Sequence, residues 1–197
     1  VKELNRQFDS ALYQRLALSR DKEKILELSK KGLVIEKPED ILKDPYILEF
    51  TGLKELPEYS ESKLEQSLID ELQSFLLELG KGFTIVGRQQ RITIDEDHYF
   101  VDLVFYNRLL RAFVLVDLKI GQLKHQDLGQ MQMYVHYYDR LVKLPDENKT
   151  IGIVLCRDKK DALVEMTLPD ETNPIFASKY QTVLPNKDEL KSLIEKK

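Results

Sequence analysis

The stretch Phe100–Lys119, FVDLVFYNRLLRAFVLVDLK, holds two apolar runs on either side of a short basic link. In the second run the two-residue period of a strand puts Phe113, Leu115, Asp117 and Lys119 on one face and Val114, Val116 and Leu118 on the other. A carboxylate and an ammonium thus emerge about 7 Å apart from one face of an otherwise apolar strand. Such a strand belongs in the middle of a buried sheet, where an unpaired charge is costly. Asp102 sits inside the first run, and a hairpin turning at Asn107–Arg111 brings it toward Asp117. Two carboxylates held close repel, and a hard divalent cation, which takes carboxylate and carbonyl oxygens, relieves the repulsion. The plainer alternative is an Asp117–Lys119 ion pair that closes the end of a strand.

Upstream, FTIVGRQQRITI reads as a strand with a bend at Gly87, and Asp95–His98 as the turn that follows it. A helix is predicted over Glu61–Leu79, capped by Ser60 or Ser62, because Leu64, Leu68, Leu72, Phe75 and Leu79 form one stripe. Glu65 and Glu71 lie beside that stripe and read, taken alone, as solvated flank residues. Downstream, a helix over Lys124–Leu141 places Gln130 and Tyr134 on a shared face, beside the apolar row Met131, Val135, Tyr138 and Val142. Gln130 alone would pass for a surface residue. TIGIVLC is a further strand, Leu163–Leu168 a short one, Pro174–Leu184 a helical turn or strand, and the tail after Pro185 a short helix.

The N-terminal part differs in kind. Leu4, Phe8, Leu12, Leu16, Ile25 and Leu28 recur at helical spacing among charges, giving one long helix or two joined near Ser19–Asp21, a helical arm over residues 4–31 that needs a partner surface. Val34–Tyr59 holds Pro38, Pro45, Gly52 and Pro57 and reads as loops and short turns tied to the core by Tyr46, Ile47, Leu48, Phe50 and Leu53. The expected division is 1–57, arm and connecting segment, and 58–197, main domain.

With 197 residues and 42% apolar side chains the chain can bury one ordinary core. Its single cysteine, Cys156, excludes a disulfide or a cysteine-based metal site within one chain and reads as a buried small hydrophobe. A zinc site from His98, His125 and His136 lacks any spacing that would gather them. No apolar segment approaches the roughly 20 residues of a membrane span, so a cytoplasmic setting without membrane partners is expected. A net charge of -4 argues against a protein that coats nucleic acid unselectively. Arg88, Arg91, Arg108, Arg111 and Lys124 nevertheless fall around the hairpin, where they would grip phosphates or simply solvate a sheet edge.

The order of helix with Glu65, strand pair with Asp102, Asp117-Leu118-Lys119, then Gln130-x-x-x-Tyr134 resembles the PD-(D/E)xK nuclease superfamily. The wording LEQSLIDELQSFLLELGKGF, VGRQ, VDLVFYN and PEDILKDPY is more closely similar to the bacterial YhcG family. The resemblance implies an α/β fold with a restriction-endonuclease-like core, a mixed central sheet flanked by helices, and an N-terminal helical arm left from a preceding helical domain. It implies Mg2+ or Mn2+ as cofactor, bound by Asp102, Asp117 and the carbonyl of Leu118, with Glu65 holding a water of the ion's shell or a second ion. Lys119 would orient the attacking water, and Gln130 and Tyr134 match the additional helix motif. Two departures stand out: no proline precedes Asp102, and position 117 carries Asp where glutamate is frequent.

The function implied is metal-dependent endonucleolytic hydrolysis of DNA in repair, recombination or defence, with RNA not separated from DNA by this chemistry. The competing class is an inactive nucleic-acid-binding or oligomerisation module on the same fold, supported by the net negative charge, the short Asp117 and an arm suited to forming a homo-oligomer.

Overall fold

The computed structural model describes residues 35–53, 59–168 and 174–183. The predicted arm over 4–31 and the terminal helix after Pro185 lie outside them. A mixed six-stranded sheet runs in the order β1-β6-β5-β4-β3-β2. Its strands are β1 (Tyr46–Ile47), β2 (Phe83–Ile94), β3 (Asp97–Asn107), β4 (Ala112–Gln122), β5 (Ile151–Asp158) and β6 (Ile175–Gln181). β2, β3 and β4 form an antiparallel meander, while β4, β5, β6 and β1 are parallel neighbours.

The helices are α1 (Glu61–Asp70), α2 (Leu72–Leu79), α3 (His125–Tyr137) and α4 (Asp161–Thr167). α1 and α2 cover one face: Leu64, Leu68, Phe75 and Leu79 pack on Leu103, Phe105, Val114, Val116, Leu118 and Ile153. α3 covers the other with Leu128, Met131, Tyr134 and Val135 on Val104, Leu115, Val154 and Cys156. Strands β4 and β5 are therefore buried on both sides, which is why they read as nearly unbroken apolar runs. The predicted alternation along β4 holds, with Val114, Val116 and Leu118 on the α1 side and Leu115 on the α3 side. α3 approaches β5 closely because residue 152 is glycine: a Cβ there would lie 2.6 Å from Met131 Cγ and 3.0 Å from Val135 Cγ2.

Three expectations are corrected, and two open ones are decided. The helix over Glu61–Leu79 bends at Glu71, whose backbone leaves helical values (φ -104, ψ 34) while its N–H still bonds the Ser67 carbonyl. The cap is Ser60, whose hydroxyl accepts the Lys63 N–H. The helix over Lys124–Leu141 closes at Tyr137 and passes into a wider π turn over Tyr138–Val142. Leu163–Leu168 is not a strand: Leu163–Thr167 belong to α4 and Leu168 is its C-cap. Val164 and Leu168, four apart, pack against the α3-side core, whereas Met166 between them is 85% exposed. The apolar residues 164, 166 and 168 alternate as they would in a strand, but packing selects the period of a helix. The undecided segment Pro174–Leu184 supplies β6, and the connecting segment supplies β1, which pairs with Tyr180 and Gln181 and so docks on the sheet.

Candidate active site

The site grows from the place where β3 and β4 part. Their pairing runs from Asn107 opposite Ala112 to Leu103 opposite Val116 and ends there. Beyond it β4 continues beside β5, and β3 continues beside β2 alone. Asp102 and Asp117 are the next positions on the two strands. The Asp102 carboxylate fills the gap, its Oδ2 accepting the Leu118 N–H at 2.7 Å in place of a backbone carbonyl.

Gln89, across from Asp102 between the rungs Arg88–Leu103 and Gln90–Val101, has a left-handed backbone (φ 44). That conformation is uncommon for a residue with a side chain. Here it interrupts the alternation of the hairpin, so that Arg88 and Gln89 both reach α1. The Gln89 amide donates to Glu65 Oε2 at 2.7 Å and to Asp102 Oδ1 at 3.0 Å. Arg88 Nε lies 3.2 Å from Glu65 Oε1, and its Nη1 donates to Gln66. Glu65 is thereby buried at 6% exposure, against the solvated-flank reading.

On the other wall, Asp117 is 3% exposed, and Lys119 Nζ lies 2.9 Å from its Oδ2. Burial, and next the charge of Asp102, push the Asp117 carboxyl up to about 7, against the pull of Lys119. Burial pulls the Lys119 ammonium down, but Asp117, Glu61 and Asp102 outweigh it and hold it above its ordinary value. Gln130 donates to the Tyr134 hydroxyl at 2.6 Å, which donates to the carbonyl of Phe100 at 2.9 Å. Phe100 lies past the end of the β3–β4 ladder, so this half-buried relay satisfies a carbonyl the sheet has let go. Burial, with Asp117 nearby, pushes the Tyr134 hydroxyl up to about 12, which keeps it protonated as a donor.

Among the described residues no three His, Cys, Asp or Glu side chains converge on one point. The donor set still fits a hard cation. Glu65 Oε1 and Asp117 Oδ2 are buried without a hydrogen bond of good geometry, though each has a cationic side chain at ion-pair distance. Mg2+ keeps much of its water and commonly takes only one or two carboxylates.

The family described as the YhcG PDDEXK nuclease domain matches residues 39–195. The chain belongs to that family. It is 42% identical over 190 residues to YhcG of Escherichia coli (strain K12), covering 96% of this chain and 50% of that protein. The chain thus spans about half the length of the curated relative it matches. Among solved structures, a repair endonuclease from Pyrococcus abyssi aligns at 15% identity and TM-score 0.41, over 68% of this chain and 50% of that one. The EndoMS-dsDNA2 complex aligns at 17% identity and TM-score 0.40, with the same coverages of 68% and 50%.

The residues singled out from the sequence fall into two groups. Glu65, Asp102, Asp117, Leu118 and Lys119 surround the gap, and Gln130 and Tyr134 anchor its edge. Arg88 and Arg91 lie on β2 beside it, and exposed Lys124 stands at the start of α3. Arg108 and Arg111 belong elsewhere: they sit in the β3–β4 turn, and Arg111 Nη2 pairs with the Asp146 carboxylate. Arg111 is six residues from Asp117 along β4, about 20 Å at the rise of a strand. The basic residues gather around the hairpin in sequence but not into one patch. Gln89 and Glu61, whose Oε2 lies 3.9 Å from Lys119 Nζ, were not singled out. Gln89 stood inside the family-like VGRQ, but its left-handed backbone leaves no mark in residue type.

Proposed function

We propose that this chain hydrolyses phosphodiester bonds of DNA in a reaction that depends on Mg2+ or Mn2+. The observation that carries the reading is the parting of β3 and β4 at Asp102 and Asp117, with Lys119 on one wall and Glu65 on the other. Asp102, Asp117 and the Leu118 carbonyl would hold the ion, with Glu65 beside them. Bound there, it would lower the pKa of water and offset charge on the phosphate. Lys119 supplies a fixed ammonium for the oxygens on which charge develops, a role that acts mainly in the transition state. Gln89 and Arg88 keep Glu65 and Asp102 in place before substrate arrives, and Gln130 and Tyr134 fix the backbone at Phe100. Repair, recombination or defence would be the setting of such an activity.

The second reading, a binding module without turnover, has one observation in its favour: Lys119 already neutralises Asp117 directly, as a purely structural pair would. Incubating the protein with linear, nicked, branched and single-stranded DNA and with RNA, each in Mg2+, Mn2+ or EDTA, separates the two. Cutting that requires metal and falls to background in Lys119→Ala supports the enzyme. Binding of DNA without cutting above that control hands the site to the module. A homo-oligomer formed through residues 4–31 is a separate proposal, tested by sedimentation at several concentrations.

A further inference from the structure

Past Leu103 and Val116 the hairpin of β2 and β3 runs on as a two-stranded ribbon, and its two faces differ. Ile92 and Val101 are buried in the α3-side core, with Tyr99 packed against it. Arg91 pairs with Phe100 and Thr93 with His98, so these four share the opposite face. All four are exposed, and Phe100 keeps 47% of its surface in water. One rung further along this face come Gln89 and Asp102, at the edge of the proposed reaction site. The core does not require a phenyl ring here. Its backbone is nonetheless fixed, because the Phe100 carbonyl accepts the Tyr134 hydroxyl at 2.9 Å.

We propose that this ribbon face seats a single-stranded segment of nucleic acid next to the reacting phosphate, with Phe100 stacked on an unpaired base and Arg91 on a flanking phosphate. The proposal rests on the phosphodiester reading above and adds the form of the substrate. A base offers its flat face to a side chain only when it has left its stack, and an aromatic beside a cation is the combination that single-strand grooves use. An intact duplex presents phosphates and base edges, which arginine and amide side chains reach without an aromatic. The position matches as well: the ring is two residues from Asp102, so a base stacked on it keeps its own phosphate near the carboxylates.

The chain contains no tryptophan, so Phe100→Trp places a lone fluorescent reporter on the ribbon. The variant is titrated in EDTA with a duplex, with the same duplex carrying splayed ends, and with a single strand. Quenching by the splayed and single-stranded forms and not by the duplex is expected. Phe100→Ala should weaken binding of those two forms by about 5- to 100-fold, the worth of one stacked base, and leave duplex binding nearly unchanged. Phe100→Leu, which keeps bulk and loses the π face, should behave like Phe100→Ala. Equal quenching by duplex, equal loss on all three forms, or a signal that follows only self-association in sedimentation overturns the proposal. Circular dichroism and melting of each variant show whether it is folded. A parallel Mn2+ cleavage assay keeps the two claims apart. Quenching without cutting removes the enzyme and leaves the seat, whereas cutting without quenching removes the seat and leaves the enzyme.

Discussion

Along the same two strands, β3 and β4 behave in opposite ways on either side of Leu103 and Val116. Toward the turn, Val104, Phe105, Val114 and Leu115 close a regular antiparallel ladder between two apolar layers. Past that point Asp102 takes the Leu118 N–H for its side chain, β3 leaves with β2, and the sheet opens. Apolar pairs gain from closure, whereas two facing carboxylates would lose solvation and repel, so a single pair of polar positions sets where the β3–β4 ladder ends.

The largest effects are expected from removing the charges at the opening. Asp117→Asn should abolish cleavage by weakening metal binding, and Lys119→Ala should cost roughly 10²-fold or more in rate. Metal binding followed by calorimetry should fall in the first variant and be kept in the second; loss of metal binding in both would make the pair a purely structural unit. Next in size is a break in the closed half. Gly152→Ala drives a methyl into Met131 and Val135, and overpacking of this kind costs about 1–3 kcal/mol. Met131 can swing aside but the branched Val135 cannot easily do so, so urea unfolding should show a clear loss.

A pH series sharpens the contrast. Burial and the charge of Asp102 push the folded Asp117 carboxyl up to about 7 against 3.8 for the unfolded group, so in EDTA its titration should be seen in the stability. Between those values the native state binds the extra proton, so stability should fall as pH rises from about 4 to about 7. Asp117→Asn should remove that slope; a variant that keeps it would place the titration in another group. Tyr134→Phe should release the Phe100 carbonyl for about 1 kcal/mol, the usual worth of a hydrogen bond. Hydrogen exchange should speed up along the ribbon and stay unchanged at Leu103–Asn107; equal change in both would mean the relay supports the whole fold. The smallest effect is in the closed half. Cys156 is fully buried, and burial pushes its thiol up to about 12, so a thiol reagent at pH 8 should leave it unmodified until the protein unfolds.

How far the sequence reveals this arrangement depends on what each residue answers to. The alternation of Phe113–Lys119 was legible because β4 is regular and buried, and every side chain there obeys the pleat. Asp102, Asp117 and Lys119 stood out because charges in apolar runs need a reason. Glu65 taken alone read as a flank residue because it lies beside the apolar stripe, and the groups that bury it, Arg88 and Gln89, come from a strand more than 20 residues later in the chain; only the resemblance placed it in the site. Gln89 was invisible because its contribution is a backbone angle. The Leu163–Leu168 misreading came from a short segment whose spacing fits two periods, a choice made by contact with α3.

The left-handed Gln89 has one more consequence. Among the described residues β2 is an edge strand of the sheet, 12 residues long. A straight edge of that length would offer its free N–H and C=O groups to a strand from another molecule, a common route to aggregation. The register slip between Ile85 and Gly87 and the turned backbone at Gln89 break that row into short, misaligned pieces. The irregularity that reaches two carboxylates on one side thus denies a template to incoming chains on the other, and restoring a regular strand there should threaten solubility as well as the site.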